Sequence, residues 1–132
     1  MSFRVDPSAP TPPSRQLVEA MLDRIACGEL TAGDRLPSVR QLAEEALVNP
    51  NTVGRAYRDL EWLGVALGRN GSGVFVTEDG PRLARDQRRE ATRQAFLAAT
   101  KAALRAGHDP AELGKDFDAL TATPSQPGTG ER

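Results

Sequence analysis

Residues 38–60 constrain this chain more than any other stretch. Ser38 can cap a helix that carries Val39, Leu42, Ala43 and Ala46, and Asn49-Pro50 opens another only a few residues later. Asparagine is a favoured N-cap and proline a favoured first helical residue, so the boundary is well marked. The earlier helix has room for about two turns, too few to persist alone in water. It must pack on its successor, and a short helix, a turn and a second helix with a polar start form a helix-turn-helix pattern. In the second helix Val53, Ala56, Tyr57 and Leu60, followed by Gly64, line one side. At about 100° per residue the opposite face holds Asn51, Arg55, Arg58 and Trp62, with Thr52 to one side.

The flanks extend this pattern. Ser14 is a candidate N-cap for an upstream helix whose stripe is Leu17, Val18, Met21, Leu22 and Ile25, ended by Gly28. Gly33 and Pro37 punctuate a loop over residues 31–37. Downstream, Val65-Ala66-Leu67 and Val74-Phe75-Val76 enclose the turn Gly68-Arg69-Asn70-Gly71-Ser72-Gly73, which reads as a hairpin. A hairpin after a helix-turn-helix is a wing. Such a helix suits the DNA major groove, and Asn and Arg pair bidentately with adenine and guanine edges. Glycines in the wing let backbone N–H groups approach phosphates. The plainer reading of Arg55 and Arg58 is a solvated face, paired with Asp59 or Glu61.

The remaining segments have other compositions. Residues 1–13 hold Pro7, Pro10, Pro12 and Pro13 and read as an extended arm with one edge strand at Phe3-Arg4-Val5. Residues 14–80 make the winged helix-turn-helix. Residues 81–122 are alanine-rich: a long helix over about 82–106, stopped by Gly107, then Asp109-Pro110-Ala111-Glu112 capping a short one. Residues 123–132 read as a disordered tail. The fold class is mainly α with a small β-hairpin and a two-helix appendage. Such an appendage cannot build a core alone. Its apolar residues Ala95, Phe96, Ala99, Ala102, Ala103, Leu104, Leu113, Phe117 and Leu120 must therefore pack on a partner or on the winged helix, and dimerisation is the expectation over docking within one chain. Arg82, Arg85, Arg88, Arg89 and Arg93 form a solvated face, or meet flanking DNA or a partner's acidic surface.

Charge and composition narrow the functions. The 132 residues carry a net charge of -1, and residues 1–80 hold 8 arginines against 11 carboxylates. Non-specific attraction to nucleic acid is thus expected to be weak. A single histidine, His108, and a single cysteine, Cys27, leave no disulfide, metal cage or Ser/His/Asp set, so no enzyme is expected. Cys27 reads as a small packing residue, His108 as solvent-facing, and Trp62 as packing on the wing or the tail, or else as a partner contact. No apolar run nears the roughly 20 residues of a bilayer span, and residues 1–13 lack a signal-peptide pattern.

The motifs also carry a family likeness. GELTAGDRLPSVRQLA, from Gly28 to Ala43, resembles the opening of the GntR-family winged-helix domain. Val48-Asn49-Pro50-Asn51-Thr52-Val53, then Ala56-Tyr57 and Leu60, resembles that family's recognition helix, and Gly71-x-Gly73-x-Phe75-Val76 its wing. Asp6-Pro7 and Gln16 fit the arm. The short remainder after residue 77 is similar to the YtrA-like subfamily, in which a helical tail dimerises. The resemblance implies a cytoplasmic, nucleoid-associated homodimeric repressor of a transporter-type operon. It would bind a palindromic operator in double-stranded DNA, with no cofactor and room for an unidentified small-molecule effector. The candidate DNA-binding set is Arg35, Ser38, Arg40, Asn49, Asn51, Thr52, Arg55, Arg58, Arg69, Asn70 and Gly71. Gly54 departs from a usually basic position, as do Asn70 and Ser72 in the wing, so few phosphate contacts are expected. The alternative is a winged-helix module that binds protein and has lost DNA affinity.

Overall fold

A computed structural model describes residues 3–122; the expected tail over 123–132 lies outside the described residues. The elements run α1 (Pro13–Ala26), α2 (Val39–Ala46), α3 (Pro50–Trp62), β1 (Ala66–Arg69), β2 (Gly73–Val76), α4 (Gly80–Arg105) and α5 (Pro110–Ala122). They divide into two units, Met1–Thr92 and Arg93–Arg132. The helical class with one antiparallel hairpin is the one expected.

In the first unit the stripe of α1, Leu17, Val18, Met21, Leu22 and Ile25, is entirely buried. The helix starts without Ser14 as its cap: Pro12 holds the N-cap position and Pro13 the first helical one. Pro13 presets φ and has no N–H to leave orphaned, so no capping side chain is needed there. Cys27 is the C-cap, beyond the end of the stripe, and is exposed rather than packed.

Nor does the arm form an edge strand at Phe3–Val5. Side chains anchor it instead. Phe3 enters the core, its N–H donates to Glu45 Oε2 at 3.0 Å, and the Arg24 guanidinium lies 4.2 Å from its ring centroid. Gln16 clasps the proline-rich stretch: its Oε1 accepts from the Asp6 N–H at 2.8 Å, and its Nε2 donates to the carbonyls of Asp6 and Thr11. The Ser8 hydroxyl, then its N–H, hold the Asp6 carboxyl below the usual range.

The caps on α2 and α3 are those expected. Ser38 Oγ accepts from the Gln41 N–H at 3.1 Å, while Gln41 Oε1 accepts from the Ser38 N–H at 2.9 Å, a closed capping box. Asn49 Oδ1 accepts from the Asn51 N–H at 2.7 Å. Between the helices the chain reverses at Leu47, in the left-handed region at φ 59, ψ 48. A side chain there costs about 1–2 kcal/mol. Helix α3 packs Val53, Ala56, Tyr57 and Leu60 against α1 and α2. Gly64 follows the helix instead of lining it, with φ +82.

The hairpin pairs Ala66 with Val76, Leu67 with Phe75, Gly68 with Val74 and Arg69 with Gly73. Gly68 and Arg69 therefore belong to a strand, and the turn shrinks to residues 70–72. A third edge comes from the 31–37 loop. Arg35 bridges Phe75, the Gly33 and Leu36 N–H groups donate to Val76 and Val74, and the Val76 N–H donates to the Asp34 carbonyl.

Helix α4 begins against this wing, where a Cβ on Gly80 would meet the Val65 carbonyl at 2.8 Å. Arg88 is tied to Asp23 at 2.7 Å, and Arg82 lies 3.7 Å from Asp79 and 3.8 Å from Asp86, so at least two of the five arginines have carboxylate partners inside their own unit. In the second unit Asp109 Oδ1 accepts from the Ala111 N–H, His108 is exposed, and among the described residues from 93 onward none is buried.

Tyr57, the chain's single tyrosine, is buried and donates its hydroxyl to the Pro37 carbonyl at 2.6 Å. Burial pushes the phenol well above its ordinary 10.0. The folded chain therefore keeps that proton when the unfolded chain loses it. This contribution is full below pH 10 and is lost as pH climbs above that value. Tyr57→Phe is expected to cost about 1 kcal/mol at neutral pH. It should also flatten the alkaline loss of stability, checked by urea unfolding across pH 7 to 11.5.

Candidate nucleic-acid interface

Three local structures of the first unit carry the candidate residues. At the start of α2 stand Ser38 and Arg40, with Arg40 exposed; at the start of α3 stand Asn49, Asn51 and Thr52. One and two turns further along α3, Arg55 and Arg58 are exposed on the side away from the buried Val53, Ala56, Tyr57 and Leu60. The wing contributes Arg69, Asn70 and Gly71, all exposed. The side chains of Ser38 and Asn49 are occupied as caps: they accept from the Gln41 and Asn51 N–H groups, and the Thr52 N–H donates to the Asn49 carbonyl at 2.9 Å.

Arg35 joins the wing through backbone pairing that sequence alone does not display. A Cβ on Gly73 would stand 2.7 Å from Arg35 Nε, and Gly73 is the cross-strand partner of Arg69. Gly73 has φ +119, so both its conformation and the neighbouring guanidinium call for glycine. Arg69 in turn lies 5.1 Å from the Phe75 ring centroid. Two cations thus share one face of the hairpin.

Ion pairing divides the arginines. Arg15, Arg24, Arg82 and Arg88 each lie within 4.0 Å of a carboxylate, at 3.2, 3.8, 3.7 and 2.7 Å. Among the described residues Arg35, Arg40, Arg55, Arg58 and Arg69 make no ion pair. The pairing of Arg55 or Arg58 with Asp59 or Glu61 is absent. Glu61 accepts from the Gly68 N–H at 2.7 Å and ties α3 to β1 instead. Trp62, expected to pack on the wing or tail, is 88% exposed. Sequence reasoning missed Gln41 and Glu61 as positioning residues. The spacing Ser38-x-x-Gln41 signals the first; nothing local signals the second.

In the second unit, Phe96, Ala99, Ala103 and Leu104 of α4 face Leu113, Phe117 and Leu120 of α5 across a groove of about 580 Å³. The Phe96 and Phe117 rings meet at 6.1 Å. Of the residues expected at a dimer contact, Ala95 and Ala102 lie outside this groove. Among the described residues no group of His, Cys, Asp or Glu could hold a metal ion, and no helix is long and apolar enough to cross a membrane.

A family model described as bacterial regulatory proteins, gntR family, matches residues 13–76. The chain is 31% identical to YtrA from Sulfolobus acidocaldarius, a GntR-family transcription factor, covering 70% of this chain and 95% of that one with a TM-score of 0.55. A GntR family transcriptional regulator from Listeria monocytogenes gives a TM-score of 0.63 at 28% identity, over 91% of this chain and all of that one. The HTH-type transcriptional repressor YtrA of Bacillus subtilis (strain 168) is 38% identical over 77 residues, which are 58% of this chain and 59% of the relative. The chain spans about half to two thirds of the length of the first curated relatives it matches. These relatives are named as transcriptional regulators, not enzymes.

One position on α3 invites a direct check. Gly54 sits inside the helix without a left-handed φ, and an added Cβ would meet only Arg58 Nη1, at 3.7 Å. The space accepts a methyl group and the backbone conformation suits alanine. Gly54→Ala is expected to stabilise the chain by about 0.8 kcal/mol. The midpoint of urea unfolding would rise with its slope unchanged.

Proposed function

The chain belongs to the GntR family of bacterial regulatory proteins, and on that premise we propose that it is a sequence-specific DNA-binding repressor acting as a homodimer on a palindromic operator. The observation that carries the reading is the placement of Arg35, Arg40, Arg55, Arg58 and Arg69, on α2, α3 and the wing with its third edge, each without an ion pair. Guanidinium groups left without carboxylates suit phosphates and guanine edges. In this reading the start of α3 enters the major groove: Asn51 and Thr52 face base edges, and Arg55 and Arg58 face bases or backbone. Arg40 reaches a phosphate from α2, and Arg69, Asn70 and Gly71 bring the wing to the minor groove. Repression is carried over from the name of the Bacillus subtilis relative.

The dimer is assigned to the second unit. Its groove is apolar, yet Phe96, Phe117 and Leu120 stay 54, 51 and 78% exposed within one chain. A helix pair that buries none of its own side chains needs a second copy to cover them. Two-fold symmetry then favours half-sites one DNA turn, about 34 Å, apart.

The test is an electrophoretic shift with DNA from upstream of the chain's own gene. A salt-sensitive, competitor-resistant shift is expected; its absence would sink the DNA reading and leave the protein-interaction module. Arg40→Ala is expected to weaken that binding about ten-fold, with the salt slope smaller by about 0.9, while light scattering still reports a dimer. Phe117→Asp sets a third carboxylate beside Asp116 and Asp118 and should yield a monomer in the same measurement. A persistent dimer would move the interface elsewhere.

A further inference from the structure

Leu47 is the one non-glycine with positive φ among the described residues, and it is 90% exposed. These facts belong together. The turn between α2 and α3 needs the left-handed region, which glycine or asparagine enters with least strain. A leucine there strains the backbone, and its exposed isobutyl group returns no packing to the chain. Neither neighbour shares that position: Ala46 is buried in the core and Val48 packs against it. An apolar side chain held in a strained conformation and facing outward is a candidate for contact with another molecule.

Its place selects the partner. Leu47 lies two residues before Asn49, so its Cα is within about 7.6 Å of the α3 N-cap. Of the other large exposed apolar groups on α2 and α3, Val39 opens α2 and Trp62 ends α3, the latter roughly 20 Å away along a 13-residue helix. Leu47 therefore shares the Asn49–Asn51–Thr52 end. Those side chains are polar and suit the hydrogen-bonding edges of bases. The apolar feature of the major groove is the C5-methyl of thymine. We propose that Leu47 is a specificity residue that packs on a thymine methyl at the edge of each half-site. The inference rests on the DNA-binding reading above.

The experiment takes the full chain as wild type, Leu47→Ala and Leu47→Gly. Wild type first selects its site from a random duplex library. Affinity for that site is then compared with the same site carrying uracil for thymine, which deletes only the methyl. Wild type is expected to lose about four-fold, the worth of one buried methyl group. Both variants should bind the two sites equally. Leu47→Gly should also melt a few degrees higher, whereas Leu47→Ala keeps the strained Cβ and should not. The proposal is overturned if wild type does not distinguish uracil from thymine, or if Leu47→Ala still does. A wild type that selects no duplex at all overturns the DNA reading itself, and this inference with it.

Discussion

Eight residues close too few hydrogen bonds to hold a helix in water, so α2 depends on what α3 does to it. Tyr57 reaches from the middle of α3 to the Pro37 carbonyl, just ahead of the α2 cap. Leu42, Ala43 and Ala46 are buried. The capping box of Ser38 and Gln41 then satisfies the first N–H groups without drawing on solvent. Once α2 is fixed on α3, the two capped N-termini stand in a set relation, and a surface that must read two features of a ligand at once is already assembled.

The same loop fixes the wing. Residues 33–36 pair with β2 at one end of the loop and Tyr57 holds Pro37 at the other. Arg35 is thereby placed beside Gly73 and shares a face with Arg69. Like charges brought together without a carboxylate repel, and the Phe75 ring offers Arg69 only partial relief. A bound polyanion would remove that repulsion. In the proposed reading Arg35 and Arg69 are groups held ready for phosphate, whereas Arg15 and Arg88 are already paired within the fold.

What was legible in the sequence is what local chemistry decides. Ser38 and Asn49-Pro50 announce their helices because a cap acts within three residues of itself. The buried face of α3 follows from 3.6-residue periodicity, and so does the exposure of Asn51, Arg55 and Arg58. The misses are all of longer range or of competing chemistry. Phe3 enters the core because Glu45, 42 positions away, takes its N–H. Arg35 becomes part of the wing through pairing across 40 positions with Phe75. Ser14 yields its capping role to a proline pair, Cys27 falls two residues beyond its stripe, and Trp62 stays exposed. The candidate interface was therefore legible as a list of exposed residues but not as an arrangement, because Gln41, Glu61 and the third edge of the hairpin do the arranging.

The charge of the chain acquires a definite meaning from this arrangement. A net charge of -1 supplies no long-range pull toward DNA, and the carboxylates of residues 1–80 outnumber their arginines. Binding by a field needs a surplus; binding by placement needs only a few cations free of their own carboxylates. The winged-helix unit has the second and lacks the first. In the proposed dimer each copy would offer a small number of phosphate contacts, so one half-site alone would hold it weakly. Linking two copies would turn the second half-site into a local event, and the product of two modest affinities would be selective for paired sites over isolated ones. On that proposal the exposed groove between Phe96 and Phe117 would matter as much to DNA recognition as the arginines, because coupling two copies would make a weakly charged reader selective.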